Sequence, residues 1–177
     1  MDDLRTIVNK IVTESVLLKN KYTNATNAPV EFACVFCQTD QEYKIYTGEI
    51  KKLGEVVQDT TTGFTYLFNI PLKTQAGPLS LVKIRRPDPL RKERGDADFN
   101  TNFNEFKNRY INESNFQLVK RDQFEMLRLS EPGNEVMACF SNIPLSKILG
   151  LNFYNNGQNH GVFSEGLKDV FFTNFSN

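Results

Sequence analysis

KIRRPDPLRKERGDADF, residues 83–99, joins two segments of the chain that repeat the same order of predicted elements. Pro87 and Pro89 lack the backbone N–H that a β-ladder requires, so strand pairing is predicted to stop there. Five basic and four acidic residues lie between Arg85 and Asp98, where charge is densest. We therefore predict a charged linker, residues 87–96, between two modules.

The first module, residues 31–86, is predicted to form a strand, a helix and three further strands. EFACVFCQ, residues 31–38, alternates as a strand, with Phe32 and Phe36 on one face. Thr39 and Glu42 form a capping-box pattern that begins a helix. The remaining strands are predicted at residues 55–60, 64–70 and 79–86.

The second module, residues 97–141, repeats this order. A short strand at 97–101 precedes a helix that Asn102 and Glu105 are placed to cap. Three strands follow, at residues 116–121, 124–130 and 135–140. The pattern predicts a β-α-β-β-β order in both modules.

The flanking segments complete the predicted architecture. Residues 1–30 hold an amphipathic helix and a turn, and residues 142–177 hold a short closing helix and a tail rich in Asn and Phe. We predict one compact α+β domain in which two βαβββ modules form a curved mixed sheet around a cavity. The phenylalanines of the tail are expected to dock on the body or on a neighbouring chain. The alternative fold is an antiparallel sheet with helices on one side and no internal repeat.

Composition excludes several partners and chemistries. The 21 basic and 21 acidic residues balance, which disfavours nucleic acid and anionic membranes as partners. The acidic N-terminus, the absence of a membrane-length apolar run and the odd number of cysteines predict a cytoplasmic protein. His160 is the only histidine, which disfavours a histidine-based catalytic triad and a zinc site. No glycine-rich nucleotide motif follows a strand, so we predict no cofactor other than a possible Mg²⁺ or Mn²⁺ ion.

The cysteines have two interpretations. Cys34 and Cys37 spell C-x-x-C, the spacing of redox and zinc sites. Both lie in a predicted strand, where an odd separation places them on opposite faces, and there is no second pair. We predict that they, and Cys139, are buried structural residues.

The order of elements resembles the vicinal oxygen chelate superfamily, which includes glyoxalases, bleomycin-resistance proteins and extradiol dioxygenases. It is most similar to a divergent branch with an N-terminal helical segment and a short helix after the last strand. The stretches that carry the resemblance are EFACVFCQ (31–38), EYKIYTGEIKKLG (42–54), GDADF (95–99) and NIPLSKIL (142–149).

In that superfamily the first and fourth strands of both modules supply metal ligands around a cavity. The matching positions in this chain are Glu31, Lys83 or Arg85, Asp98 and Glu135. The sequence departs from the family here, since a cation cannot ligate a metal and no histidine precedes residue 160. If a metal binds, Glu31, Asp98 and Glu135 would offer only oxygen, which suits Mg²⁺ or Mn²⁺.

The alternative to a metal is that arginine or lysine takes its place. We expect Lys83, Arg85 or Arg86 to bind a small anionic metabolite, with Tyr66 lining the pocket. Alternatively, Tyr66 is part of an aromatic stripe that packs in the core. The charged linker is alternatively a solvated segment whose ion pairs lie at the surface.

The resemblance leaves the activity open. If the protein is an enzyme, a carboxylate, Glu31 or Asp98, would catalyse proton transfer or isomerisation. The alternative is a non-catalytic interaction protein that kept the scaffold without the site. Modules of this type are often exchanged between chains, so a homodimer is also considered.

Overall fold

The computed structural model describes residues 2–151. Within them the helices are α1 (Leu4–Tyr22), α2 (Asp40–Ile50), α3 (Phe103–Tyr110) and α4 (Leu145–Ile148). The strands are β1 (Val30–Phe36), β2 (Gly54–Thr60), β3 (Gly63–Thr74), β4 (Gly77–Arg85), β5 (Gly95–Phe99), β6 (Phe116–Lys120), β7 (Glu125–Leu129) and β8 (Val136–Ser141). The predicted α+β class, with a helix at each end of the sheet-forming segment, is confirmed. The predictions for the tail and His160 fall outside the described residues.

The eight strands form one mixed sheet in the order β2-β3-β4-β1-β5-β8-β7-β6. Strand β1 pairs parallel with β4, and β5 pairs parallel with β8. The two first strands, β1 and β5, meet antiparallel at the centre of the sheet. Each half therefore has the same strand order, as two βαβββ modules require, and an arrangement without a repeat is ruled out.

One face of the sheet, which we call the helix face, carries the main hydrophobic core. Ala33, Val35 and Cys37 alternate onto this face, where they pack in a cluster with residues of α1, α2 and α3. Helix α1 crosses β1, β5 and β8, and its Ser15 hydroxyl donates to the backbone oxygen of Met137 at 2.9 Å. The helices thus cover the side that the alternation predicts to be apolar.

The opposite face, which we call the inner face, has a smaller apolar cluster. Cys34, Phe36 and Met137 are buried there, and Phe32 packs against them. The predicted alternation of β1 is therefore confirmed: Cys34 and Cys37 lie in different clusters on opposite faces.

A buried lysine fixes the loop that leads from α1 into β1. Lys19 is fully buried, and its Nζ donates to Asn20 Oδ1 at 2.8 Å and to the backbone oxygens of Ala25 and Thr26 at 2.6 and 3.0 Å. Burial lowers the pKa of this ammonium. Three acceptors offset the cost of burying the charge, and they set the position at which β1 begins.

Two local features differ from the sequence prediction. Strand β3 runs beyond residue 70, and Ile70 is 79% exposed although Phe68, two residues earlier, is buried. The register with β4 shifts between Leu67 and Leu72, so Ile70 is exposed while Leu72 packs against the core. At α3, Asn102 occupies the N-cap position, but its side chain makes no capping hydrogen bond.

Candidate functional site

Side chains of the inner face stand in rows across the strands at the centre of the sheet. Cys34 of β1 pairs with Lys83 of β4 on one side and with Asp96 of β5 on the other, and Asp96 pairs with Met137. A second row runs through Leu81, Phe32, Asp98, Cys139 and Arg128. Because neighbouring strands lie about 4.8 Å apart, the backbones of Lys83 and Asp96 are about 10 Å apart across Cys34.

Four cationic side chains approach this region. The guanidinium carbons of Arg85 and Arg91 lie 4.8 and 5.7 Å from the ring centre of Phe36. Lys83 Nζ donates to Thr60 Oγ1 at 2.8 Å. Arg128 Nε is buried and has no hydrogen-bond partner among the described residues. In the same part of the chain, none of the four forms an ion pair within 4.0 Å.

The two carboxyls of β5, Asp96 and Asp98, lie on the same face, and the cations act on Asp96. Burial raises the pKa of Asp96 to about 6, although the positive charges of Arg128, Arg85, Arg91 and Lys83 oppose the rise. Burial raises the pKa of Asp98 to about 7, and the negative charges of Asp96 and Glu31 add to the rise. Asp98 Oδ1 accepts a hydrogen bond from the Ser141 amide at 3.1 Å, and Asp98 Oδ2 accepts one from the Ser141 hydroxyl. Both carboxyls thus titrate near neutral pH.

Glu31 lies beside Asp98, where the register between β1 and β5 shifts. It is 7% exposed, and both of its oxygens have partners. Asn100 Nδ2 donates to Oε2 at 2.8 Å, and the amide of Ser146 donates to Oε1 at 2.9 Å. Glu31 therefore holds α4 against the N-terminal end of β1.

The linker is attached to the fold at its C-terminal end. Arg94 makes two parallel hydrogen bonds with the Glu42 carboxylate, at 3.0 and 3.1 Å. The amide of Glu42 donates to Thr39 Oγ1, which confirms the predicted N-cap, while the Glu42 carboxylate accepts at 2.8 Å from the amide of Gln38, one residue before that cap. The linker is thus joined to the N-terminus of α2.

The structure brings together only part of the predicted residue set. Lys83, Arg85 and Asp98 share the inner face with Glu31 at its edge. Arg86 lies on the helix face, 5.1 Å from the ring centre of Tyr43. Tyr66 and Glu135 lie apart from these residues.

Tyr66 is buried in the main core, with its ring edge-on to Phe64. Its hydroxyl is buried and has no partner in the described residues. Glu135 is exposed and immediately precedes β8. Across residues 2–151, no three His, Cys, Asp or Glu side chains are grouped as a metal site would require.

Sequence reasoning missed three residues of the inner face. Asp96 lies two positions before Asp98, so the alternation of GDADF already places both on one face. Arg128 stands between the buried Leu127 and Leu129 of β7, and the same alternation points it to the other side of the sheet. Arg91 lies in the linker, and only the folded chain shows it over Phe36.

The cysteines agree with the structural interpretation. Cys34, Cys37 and Cys139 are buried free thiols. Burial raises the pKa of the Cys37 thiol to about 12, and it raises those of Cys34 and Cys139 as well. Thiols with raised pKa values stay protonated and are poor nucleophiles.

Comparisons with known proteins support the fold alone. The chain is similar to a solved structure described as "Structural Genomics, Protein EC4020", with a TM-score of 0.66 and 11% identity over 85% of this chain and 93% of that one. A glyoxalase/bleomycin resistance protein/dioxygenase superfamily member from Vibrio splendidus 12B01 has a TM-score of 0.40 and 9% identity over 64% of this chain and 97% of its own. No protein-family model and no curated protein matches the chain. Among the described helices, none has the length and apolar character that crossing a membrane requires.

Proposed function

We propose that the inner face binds a small anionic metabolite through Arg128, Arg85 and Lys83. The observation that carries the proposal is the buried Arg128 Nε, which lacks a partner among the described residues. A buried donor without a partner costs about 1–3 kcal/mol, and more when it is charged. A carboxylate or phosphate oxygen is the partner that a guanidinium binds best.

The surrounding charge supports an anion. Arg128, Arg85, Arg91 and Lys83 all interact with Asp96, so one carboxyl lies within the field of four cations. The pKa values of Asp96 and Asp98 are raised, which reduces the negative charge that these carboxyls contribute near neutral pH. The inner face therefore has an excess of positive charge that a bound anion would neutralise.

Asp98 is the residue that we propose for proton transfer. A carboxyl with a pKa of about 7 is present in both protonation states at neutral pH, as general acid–base catalysis requires. The amide of Ser141 donates a hydrogen bond to one oxygen of Asp98, and the Ser141 hydroxyl donates to the other, so the carboxyl is held in one orientation. Proton transfer or isomerisation of the bound anion is the reaction class that this arrangement supports. Glu31 would act as a positioning residue for α4.

A cytoplasmic location forms part of the proposal. The three cysteines are free thiols, which a reducing compartment maintains.

A thermal-shift screen against small carboxylates and phosphates tests anion binding. A ligand at a hundred times its Kd adds about 2.7 kcal/mol to the free energy of unfolding, which raises Tm measurably. We expect Arg128→Ala and Arg85→Ala to lose this shift. Arg86→Ala is the matched control, because this neighbour of Arg85 lies on the helix face.

The same screen distinguishes the alternatives. A shift with Mg²⁺ or Mn²⁺ that EDTA reverses would instead support a carboxylate metal site. Stabilisation that survives both Arg128→Ala and Arg85→Ala would contradict the proposed site. The absence of a shift with every ligand would favour the interaction protein.

A further inference from the structure

Lys83 differs from an ordinary anion-binding lysine. Desolvation lowers the pKa of its ammonium and the charge of Arg85 lowers it further, while Cys34 and Asp96 act in the opposite direction. Its hydrogen bond to Thr60 is with a neutral hydroxyl. Lys107, by contrast, forms an ion pair with the Glu125 carboxylate at 2.6 Å. Lys83 is thus a half-buried amine beside a second cation, an environment that favours a nucleophilic lysine.

We propose that Lys83 forms an imine with the carbonyl group of a small 2-oxo acid bound on the inner face, an inference that rests on the anion site proposed above. Arg85 lies two residues along β4 on the same face, about 7 Å away between Cα atoms. In a 2-oxo acid the carboxylate and carbonyl carbons are directly bonded. A carboxylate bound by Arg85 would therefore place its carbonyl carbon within reach of Lys83 Nζ.

Asp96 completes the arrangement on the other side of Cys34. It stands in the same row as Lys83, with the small side chain of Cys34 between them. A ligand carbonyl above Cys34 would have the Asp96 carboxyl on one side and, once the Lys83 amine leaves Thr60, that amine on the other. The groups that face Asp96 from neighbouring elements are Lys83 and Arg85 of β4, Arg128 of β7 and Arg91 of the linker.

The reaction needs no oxidant or reductant. The neutral Lys83 nitrogen forms a bond to the carbonyl carbon, and one proton moves from this nitrogen to the carbonyl oxygen, which becomes a hydroxyl. Asp96 donates a proton to this hydroxyl, which leaves as water as the C=N bond forms. The carboxylate of Asp96 then recovers a proton from the nitrogen. The net change is one amine and one carbonyl converted to one imine and one water.

Reductive trapping tests the imine in the full chain. Pyruvate serves as the probe with sodium cyanoborohydride, and intact-protein mass spectrometry followed by peptide mapping locates the adduct. We expect one adduct, at Lys83. Lactate is the matched ligand control, because it has the same charge but no carbonyl group, and it should stabilise the protein without forming an adduct.

Lys83→Arg is the matched protein control, since it keeps the charge and removes the primary amine. We expect this variant to lose the adduct. If pyruvate raises Tm but wild type gives no adduct, the imine is excluded and the anion site stands. Adducts spread over exposed lysines such as Lys120, or an adduct retained by Lys83→Arg, would also exclude it. If no carboxylate or phosphate raises Tm, the anion site itself fails.

Discussion

The two faces of the sheet differ sharply within a single strand. In β1, Ala33 and Val35 are fully buried beneath the helices, in a core that is almost entirely apolar. The alternate residue Cys34 is also buried, but it lies between Lys83 and Asp96. Burying apolar surface stabilises a fold, whereas burying charge costs free energy unless the charge is paired. The helix face therefore explains why the chain folds, and the inner face indicates what the fold is used for.

The two modules contribute differently to the inner face. The fourth strand of the first module supplies Lys83 and Arg85, and the first strand of the second supplies Asp96 and Asp98. At the positions that pair with these carboxyls, β1 has the uncharged Cys34 and Phe32. The cations of β4 thus come from the first module, and the carboxyls of β5, together with Arg128 of β7, come from the second, so the site requires both modules.

Phe140→Ala should have the largest effect on stability, because it removes a ring from the centre of the helix face. Phe140 is fully buried, and its ring centre lies 4.1 Å from that of Phe106. We expect a loss of about 3–5 kcal/mol in the free energy of unfolding, measured by urea denaturation. A loss below about 1 kcal/mol would mean that this face does not carry the core.

Asp98→Asn tests the cost of charge on the inner face. The folded pKa of about 7 lies above the ordinary value of 3.8, so the folded state binds this proton more tightly than the unfolded state does. The resulting stability is fully present below about pH 3.8 and is lost as the pH rises to about 7. Asparagine has no charge to bury, so the variant should be more stable than wild type at pH 8 by about 2–4 kcal/mol.

Urea denaturation of wild type and Asp98→Asn from pH 4 to pH 8 measures this difference. The two stability curves should converge towards low pH and separate as the pH rises. A constant difference across the range would show that Asp98 does not titrate with a raised pKa.

Arg94→Ala tests a charged contact that supports the fold. The paired side chains are only 19% and 17% exposed, and loss of the two hydrogen bonds should cost about 1.5–3 kcal/mol. Burial raises the pKa of Glu42, but the hydrogen bonds from Arg94 and Gln38 outweigh it and lower the pKa overall. This contribution is present above the ordinary value of 4.5 and is lost as the pH falls through the lower folded value.

Arg94→Lys keeps the charge but cannot form both parallel bonds, so it should recover only part of the loss. The measurement is the free energy of unfolding at pH 7 and pH 4. Equal stability of all three proteins at pH 7 would contradict a structural role for the pair.

Much of the fold was predictable because its signals are local. Period-two alternation, the N-cap at Thr39 and the prolines of the linker each determine structure within a few residues. The candidate site depends instead on which strands become neighbours. Asp96 and Lys83 are 13 positions apart in sequence and share a row only because β1 lies between β4 and β5.

The positions of the other candidate residues were hard to predict for the same reason. Arg85 and Arg86 look equivalent in the sequence, and strand alternation alone separates them. Tyr66 belongs to an aromatic stripe whose face was not determined until the helices were placed on it. Arg128 reaches the site from the far side of the second module, and no local pattern connects it to Asp96.

The smallest effect expected is a change in the pKa of Asp96. Substituting Arg85 or Arg86 compares the two faces, because these adjacent residues lie on opposite sides of the sheet. Arg85→Gln should raise the pKa of Asp96, because the Arg85 charge is one of those that hold it down. Arg86→Gln should leave it unchanged, because this guanidinium lies over Tyr43 on the helix face. NMR titration of the Asp96 carboxyl carbon measures both variants, and neither should alter stability by more than about 1 kcal/mol. If both substitutions shifted Asp96 equally, the sheet would not separate the two charges, and the distinction between its faces would lose its electrostatic basis.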